Sequence, residues 1–472
     1  MSLDLFLLIL LLVAGFYMAW NIGANDVSNA MGTSVGSGAL TLKKAVIIAG
    51  ILEFSGAFFL GSHVSQTVQK GLVNPDVFAQ DPTILLYGMI SALVATALWL
   101  QTASYFGWPV STTHAIVGAI LGFGVIVGGV HSVMWPEVAR VASSWIISPV
   151  LSGIIAFALF TVVQKIILFA YYPVEASKKA IPVFTALLFL TFFLNFLTRG
   201  IGGLSVQIPP TLTVGLSFLI AAIAFIGSKL YVNSKRFTVE TESPPPNLIQ
   251  HVYSLNKALK HLQRVKLSTQ GERREEVASI LRSLRGVTDQ VRNESGFYVK
   301  SNEFHVVEKM FSSLQILSAM YIAFAHGAND VANAIGPVAA SLEILRSGYL
   351  HSTSQVPSWL LAMGGVGIVI GLATWGWRVM ETIGKKITEL TPTRGFCAEF
   401  GAATTILLAS RLGLPISTTH CIVGAVLGVG IARGISALNM RTVREIVMSW
   451  VITIPSSAVV CIILFYIMRA LF

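Results

Sequence analysis

Long, nearly uncharged apolar runs recur along the chain, and they limit its fold more than any other feature. The first run, residues 3–20, holds one acid, Asp4, and leads directly into a polar motif. A hydrocarbon core about 30 Å thick takes about 20 apolar residues to cross, and about ten to twelve candidate stretches occur here. Backbone groups in lipid must bond within their own segment, and the runs are too long for barrel strands. We therefore predict an all-α polytopic membrane protein.

The composition supports this prediction and excludes most soluble classes. Hydrophobic residues make up 54% of 472 residues, charged residues only 11%, and the mean hydropathy is +0.73. A formal charge of +10 would suggest nucleic acid in a soluble protein; here basic loop residues set membrane topology, and no nucleic-acid partner is expected. Cys397, Cys421 and Cys461 lie in apolar segments and indicate neither disulfides nor a metal site. We interpret the N-terminal run as a retained helix, not a signal peptide.

Two polar motifs each occur twice, in the same order. GANDVSNAMG at residues 23–32 returns as GANDVANAIG at 327–336, an offset of 304. PVSTTHAIVGAILGFG at 109–124 returns as PISTTHCIVGAVLGVG at 415–430, an offset of 306 with 12 of 16 positions identical. Transporters are often built from such repeats, in parallel or inverted orientation, with substrate bound near the bilayer midplane.

The repeats predict four regions. Residues 1–163 and 311–472 form the two transmembrane repeats, and 164–234 supplies connecting transmembrane helices. Residues 235–310 hold 13 Lys or Arg against 9 Asp or Glu and no spanning run, which predicts a soluble insert on the cytoplasmic side. Its apolar residues recur at helical spacing on both sides of Gly271, so we expect two amphipathic helices packed as a hairpin.

The second motif has the pattern of a helix that begins inside the membrane. Pro109 and Pro415 disfavour helical geometry in the preceding residue, and hydroxyl residues cap the first turn that follows. The free N–H groups of such a turn, at the positive end of the helix dipole, form an anion site. The alternative is a pair of hydroxyl-capped kinks, but near-identical duplication favours function. The candidate anion-binding hydroxyls are Ser111, Thr112, Thr113, Ser417, Thr418 and Thr419.

The first motif places a negative charge at membrane depth. An aspartate there is costly, so Asp26 and Asp330 should face a cavity and have partners. With Asn25 and Asn329 they offer hard oxygen ligands, which suit Na⁺. The glycines of the motif would let the backbone unwind and present carbonyls, giving a broken helix in each repeat.

Other polar residues of the motifs allow a purely structural interpretation. Asn29 and Asn333 add further hard oxygens, but they can also be explained by close helix packing. His114 and His420 follow the hydroxyls and fit hydrogen-bonded structural roles, and His326 could tune binding or pH dependence.

Two carboxylates beside two anion-binding helix starts would repel an incoming anion. A bound cation resolves the conflict, because each ligand then raises the affinity of the other. A carboxylate can also accept a hydrogen bond from H₂PO₄⁻, which sulfate cannot donate, so phosphate is favoured. Na⁺ is the expected coupling ion, H⁺ is the alternative, and no organic cofactor is expected.

Two other functional classes compete with a transporter. One is an intramembrane hydrolase built on Ser111, His114 and Asp26, and the other is a channel. Duplication argues against the hydrolase.

The four motif copies resemble the duplicated signature of the inorganic phosphate transporter family, PiT, whose members are cation-coupled phosphate symporters. The runs GTSVGSGALTL and VASSWIISP are most similar to the bacterial and plastid-type branch. The resemblance implies inverted repeats, re-entrant helical hairpins, an outside N-terminus, a homodimer, and residence in a cell inner membrane or plastid inner envelope. Family members use Na⁺ or H⁺, so a proton-coupled phosphate or metal-phosphate symporter is the alternative for this chain.

The same resemblance implies further site residues. Asp26 and Asp330 match the motif aspartates, and Ser111–Thr113 with Ser417–Thr419 match the phosphate-binding hairpin tips. Glu53 and Glu399 match acidic positions of the family and join the expected Na⁺ ligands. Neither glutamate is duplicated: alignment of the repeats places Ile368 opposite Glu53 and Leu93 opposite Glu399. The expected site is thus symmetric in its core and asymmetric in its charges.

Overall fold

The structure is a computed structural model that describes most of the chain as helices. The only β pairing in the described part is an isolated bridge between Val73 and Val133, and the prediction of an all-α protein is confirmed. The described residues are 3–70, 72–198, 208–235, 246–269, 272–294, 298–349, 356–377, 390–434 and 438–472.

The helices follow the apolar runs, and proline or a capping side chain begins many of them. We number them in chain order. They are α1 Leu3–Gly36, α2 Leu42–Leu60, α3 Ser62–Lys70, α4 Pro82–Phe106, α5 Thr112–Phe123, α6 Trp135–Val163, α7 Pro173–Leu197, α8 Pro210–Ser234, α9 Pro246–Ser268, α10 Glu272–Glu294, α11 Tyr298–Ser347, α12 Ser358–Trp375, α13 Pro392–Arg411, α14 Thr418–Arg433 and α15 Met440–Leu471.

Seven helices of the described ranges are long and apolar enough to cross a membrane, namely α1, α4, α6, α7, α8, α12 and α15. α5 and α14 are apolar but shorter, as expected for half-helices. The other predicted segments, in α2, α11 and α13, carry charged residues or a polar motif. The chain is therefore an integral, multi-pass membrane protein.

The chain divides into two compact units. The first comprises Met1–Thr161, Phe184–Phe225 and Phe311–Phe472 and contains all four motif copies. The second comprises Val162–Val183 and Ile226–Met310.

In the second unit, α9 and α10 pack against each other and bury Leu281, as the helical spacing of the insert predicts. Gly271, expected between them, lies outside the described residues.

α1 and α11 run without interruption through the GAND motifs, so the expected unwinding at the motif glycines is wrong. The reason is close packing. A Cβ atom at Gly23 would lie 1.9 Å from the Ile368 carbonyl oxygen, and one at Gly327 would lie 2.1 Å from that of Glu53. The glycines therefore let helix backbones touch rather than open.

The packing of the first unit repeats itself at matched positions. A Cβ atom added at Gly371 would lie 1.8 Å from the Trp20 carbonyl oxygen, and one added at Gly56 would lie 2.0 Å from the Phe324 carbonyl oxygen. The two pairs are equivalent in the repeats, because the alignment that places Ile368 opposite Glu53 also places Gly371 opposite Gly56. α12 thus lies on α1 as α2 lies on α11, and the two motif helices are held in equivalent surroundings.

Candidate functional site

Each half-helix follows a tight turn at the end of a long helix. Gly107 and Gly413 adopt left-handed φ values of 69° and 67°, which favour glycine. The next amides fold back, with Trp108 N donating to Ala103 O at 2.9 Å and Leu414 N donating to Ala409 O at 3.0 Å. Two equivalent helical hairpins result, α4–α5 and α13–α14.

The predicted helix starts at the second motif are confirmed. Ser111 Oγ accepts a hydrogen bond from His114 N, and Ser417 Oγ accepts one from His420 N, both at 3.2 Å. These bonds cap α5 and α14, whose first residues are buried in the protein interior. The two first turns therefore present oriented N–H donors away from bulk water, the arrangement that can bind an anion.

Each motif aspartate accepts a hydrogen bond from the hairpin of its own repeat. Thr112 Oγ1 donates to Asp26 Oδ2, and Thr418 Oγ1 donates to Asp330 Oδ2 at 2.7 Å. Both carboxylates are 1% exposed, so they sit at the hairpin tips rather than in solvent. The structure thus brings together the residues that the two motifs nominated.

The repeats also bond to each other across the site. The asparagine three residues after each aspartate donates to a threonine of the opposite tip, and that threonine donates to a backbone carbonyl facing it. From the sequence these asparagines could be oxygen donors or packing residues, and a spacing of three places them on the helix face of the aspartate. The bonds are Asn29 Nδ2 to Thr419 Oγ1 at 2.8 Å, Thr419 Oγ1 to Val110 O at 3.1 Å, Asn333 Nδ2 to Thr113 Oγ1 at 3.1 Å and Thr113 Oγ1 to Ile416 O at 2.9 Å.

His326 links two acidic residues. Its Nδ1 lies 3.1 Å from Glu53 Oε1, and its Nε2 lies 2.9 Å from Asp330 Oδ2. Asp26, His326 and Asp330 each present one ligand atom within 4.8 Å of the others. The histidine expected only to tune the site therefore lies inside it, and Glu53 reaches Asp330 through the imidazole.

Several buried oxygens of the site have no hydrogen-bond partner within the described residues. Buried polar atoms are normally paired, so such a group of acceptors calls for a donor or a cation. All are carboxylate or amide oxygens, the ligand type that hard cations prefer. They are Asn29 Oδ1, Glu53 Oε2, Asn329 Oδ1, Asp330 Oδ1 and Asn333 Oδ1.

Asn25 and Asn329 use their amide nitrogens to hold the hairpins, a role that sequence reasoning did not foresee. Each nitrogen bonds one hydroxyl and one carbonyl at the hairpin turn, which leaves only the amide oxygen as a ligand. The bonds are Asn25 Nδ2 to Ser104 Oγ at 2.9 Å and Trp108 O at 3.3 Å, and Asn329 Nδ2 to Ser410 Oγ at 2.9 Å and Leu414 O at 3.2 Å.

Glu399 has its own buried cluster with a different set of partners. Its Oε1 accepts hydrogen bonds from Thr33 and Ser34 at 2.6 Å each and from Gln315 at 3.1 Å. Ser318 donates to Oε2. Sequence reasoning named the glutamate and missed the four donors, because they lie on α1 and α11 far along the chain from Glu399.

His114 and His420 belong to a stack of rings behind the hairpin tips. Their ring centroids are 4.3 Å apart, and each also packs on a tryptophan, Trp145 at 3.9 Å and Trp450 at 3.5 Å. Trp145 Nε1 donates to Pro415 O at 3.3 Å. The stack supports both hairpins, which agrees with the structural interpretation of the two histidines.

A buried polar site built twice, on hairpins and continuous helices of a membrane bundle, defines the chain as an integral membrane transport protein. The family model described as the phosphate transporter family matches residues 22–461. The chain therefore belongs to that family, whose members are transporters and not enzymes, and the hydrolase alternative is excluded.

Named relatives agree along nearly the whole chain. The chloroplastic inorganic phosphate transporter 2-1 of Arabidopsis thaliana is 43% identical over 96% of this chain and 70% of its own length. A protein of Chlamydia pneumoniae named as a phosphate permease is 43% identical over 99% of both chains. A solved structure described as the sodium-dependent phosphate transporter is 35% identical, with a TM-score of 0.80, 99% of this chain covered and 100% of the other.

Proposed function

We propose that this protein is a secondary active transporter that carries inorganic phosphate together with Na⁺ by alternating access. The observation that carries the proposal is the placement of two capped half-helix starts directly against two buried aspartates. The first feature attracts an anion and the second requires a cation. The similarity to a structure described as sodium-dependent favours Na⁺ as that cation.

Phosphate would bind between the two hairpin tips. The first-turn N–H groups and the hydroxyls of Ser111–Thr113 and Ser417–Thr419 supply donors to its oxygens. Asp26 and Asp330 would accept from a protonated phosphate, replacing the threonine hydroxyls that they now accept from. The cross-repeat bonds of Asn29 and Asn333 connect both tips, so both halves can respond to one bound ion.

The charge of the site sets what must accompany phosphate. Asp26, Glu53 and Asp330 are three carboxylates, and a protonated His326 would offset only one of them. Ionised carboxylates at membrane depth need paired charge, and an incoming phosphate adds to the deficit. Cations held by the unpartnered oxygens of Asn29, Glu53, Asn329, Asp330 and Asn333 would restore the balance.

Further Na⁺ ligands are proposed at the same depth. The amide oxygens of Asn25 and Asn329 and the carboxylate of Glu399 complete the candidate set. Glu399, within its ring of hydroxyls, would act as a separate station on the ion path.

Alternating access fits a chain built from two similar halves. We propose inverted repeats at 1–163 and 311–472, because matched glycines, capped hairpins and aspartate contacts recur in both. The family resemblance further implies a homodimer.

Proton coupling is the second candidate, and one observation favours it. Glu53, His326 and Asp330 form a continuous buried line of titratable groups, with contacts of 3.1 Å and 2.9 Å. A carboxylate–imidazole–carboxylate line can pass or hold a proton.

Reconstitution distinguishes these possibilities. Proteoliposomes are given labelled phosphate with an inward Na⁺ gradient at fixed pH, then with a pH gradient and no Na⁺. We expect accumulation above the external phosphate concentration only with the Na⁺ gradient, because binding of the anion requires the cation. Accumulation driven by the pH gradient alone would favour the proton-coupled alternative.

Matched conditions make the result decisive. A K⁺ gradient of equal size and a valinomycin-clamped potential control for ionic strength and voltage. Uptake that never exceeds equilibrium under either gradient would contradict symport and favour a channel.

A further inference from the structure

A cavity of about 580 Å³ lies between the end of α4 and the first half of α15, apart from the proposed phosphate and cation ligands. Its lining includes Arg441 and Arg444 together with the rings of Trp99, Phe106 and Trp108. α4 and α15 pack against each other and form its walls.

The basic part of the cavity carries a net positive charge. Arg441 Nε donates to Glu445 Oε1 at 3.1 Å, whereas Arg444 makes no ion pair with any residue that the structure describes. Two arginines against one glutamate leave an excess of one positive charge. Guanidinium groups offer several N–H donors in a planar fork that matches phosphate oxygens.

Most of the remaining lining is apolar, apart from the hydroxyls of Thr442 and Ser449. The indole N–H of Trp99 already donates to Thr453 Oγ1 at 3.2 Å, so its ring presents an apolar surface. Phe106 and Trp108 stack with centroids 5.0 Å apart and are 59% and 46% exposed. An inorganic ion gains nothing from these rings, whereas a molecule with an anionic head and an apolar chain matches both parts.

The dimensions match one leaflet of a bilayer. Arg441 and Ile452, at the two ends of the lining on α15, are separated by a helical rise of about 16 Å. That distance is about half of a typical hydrocarbon core. With the arginine at the membrane boundary, the apolar lining would extend toward the bilayer centre, which is the layout of a single phospholipid.

We propose that this cavity binds an anionic phospholipid, with the phosphate headgroup on Arg441 and Arg444 and an acyl chain on the aromatic floor. Basic pockets between transmembrane helices bind such headgroups. A second copy of the chain fits less well, because a two-fold contact through this face would bring the arginine pairs of both copies together.

The bound lipid would touch the first hairpin. Trp108 is in the cavity lining, and its carbonyl accepts from Asn25 Nδ2 at 3.3 Å. The lipid would therefore stabilise the loop that precedes Ser111.

Native mass spectrometry of the full protein, released from nanodiscs of phosphatidylcholine with or without phosphatidylglycerol, tests the proposal. Wild type should retain phosphatidylglycerol, and Arg444→Gln should bind it about fivefold more weakly, the effect of removing one basic residue near a membrane surface. Arg469→Gln is the matched control, since it removes an arginine at the opposite end of the same helix. Phe106→Ala should also weaken retention without any change in charge.

Three results would overturn the proposal. Equal loss in Arg469→Gln would show unspecific charge attraction. Displacement of the lipid by inorganic phosphate, and not by sulfate at equal ionic strength, would show a phosphate site. A change from one oligomeric state to another in Arg444→Gln, with lipid retention unchanged, would show an interface between copies.

Discussion

The buried cluster around Glu399 and its counterpart in the other repeat occupy equivalent places and differ completely in polarity. Glu399 accepts hydrogen bonds from Thr33, Ser34, Gln315 and Ser318. The repeat offsets of 304 and 306 residues place apolar residues at all five matched positions. These counterparts, all buried, are Leu93, Pro337, Val338, Leu11 and Ala14.

The second unpaired glutamate shows the same difference in polarity between the repeats. Glu53 and His326 form a buried contact of 3.1 Å, and their counterparts are Ile368 and Ile22, also buried. The same backbone packing therefore supports a charged pair in one half and an aliphatic pair in the other. Symmetric packing surrounds the proposed phosphate site, while the asymmetric polarity would place the proposed ion path on one side only.

The largest effect is expected for variants of the motif aspartate, which both repeats share. Asp330→Asn and Asp26→Asn should each lower the initial rate of phosphate uptake at least about 100-fold, because each removes a carboxylate that pairs with the proposed Na⁺, and breaking a buried ion pair costs about 3–5 kcal/mol. Asp330→Asn should be the more severe, since it also leaves His326 in contact with Glu53 alone.

Proteoliposome uptake across a series of Na⁺ concentrations measures both variants. Asp81→Asn, at an exposed helix cap, is the matched control and should transport normally. Normal Na⁺ dependence in both aspartate variants would remove them from the proposed cation site.

The next largest effect is expected when the Glu399 cluster is given the leucine of its counterpart. Glu399→Leu leaves four buried donors without their acceptor, at a cost of about 1–3 kcal/mol for each donor that stays unsatisfied. We expect a lower melting temperature in detergent and loss of transport. Glu399→Gln keeps an acceptor oxygen and should melt closer to wild type. Leu93→Met, the volume-conserving change at the matched position, should be nearly neutral, and an equal loss there would contradict the asymmetry.

A smaller effect is expected where the charge lies beside the shared site. Glu53→Gln should raise the Na⁺ concentration for half-maximal uptake about tenfold, because one charge-assisted contact with His326 is worth about 1.5–3 kcal/mol. Ile368→Val at the matched position should leave the Na⁺ dependence unchanged. An unchanged half-maximal concentration in Glu53→Gln would exclude this glutamate as a cation partner.

The smallest effect tests the ring stack, in which the repeats are alike. His114→Phe and His420→Phe keep an aromatic ring against Trp145 and Trp450 and should change uptake by less than about threefold, since volume-conserving exchanges cost under about 1.5 kcal/mol. His114→Ala should lower the melting temperature instead, because it opens a cavity. A large loss of Na⁺ coupling in either phenylalanine variant would give the histidines a direct role.

Much of the fold and the centre of the site were predictable because their signals are local. Apolar runs predict spanning helices, and a Pro-x-Ser-Thr-Thr pattern predicts a capped helix start, as found at Ser111 and Ser417. The repeated motifs identified Asp26 and Asp330 as well as the hairpin tips that these two aspartates contact. The sites of Glu53 and Glu399 came from family resemblance and repeat alignment rather than from local pattern.

The remaining features depend on contacts between distant segments. Thr33 and Gln315 reach Glu399 only because α1 and α11 both pack near α13. The motif glycines were expected to unwind the helices, since sequence alone does not distinguish a flexible glycine from one under a neighbouring backbone. For the same reason, the sequence alone allowed Asn29 and Asn333 to be explained by packing, although their amides bridge the repeats.

Backbone contact at Gly23, Gly56, Gly327 and Gly371 has a mechanical consequence. A helix pair whose backbones touch at a glycine has little room to slide or rotate, so we expect α1 with α12 and α2 with α11 each to move as a rigid body. We expect the flexible joints to be the threonine bonds from each tip to the opposite repeat, Thr113 to Ile416 and Thr419 to Val110. If the protein transports by the proposed alternating access, spin labels across the glycine contacts should report a constant distance during transport, whereas labels across the tips should report a change in distance.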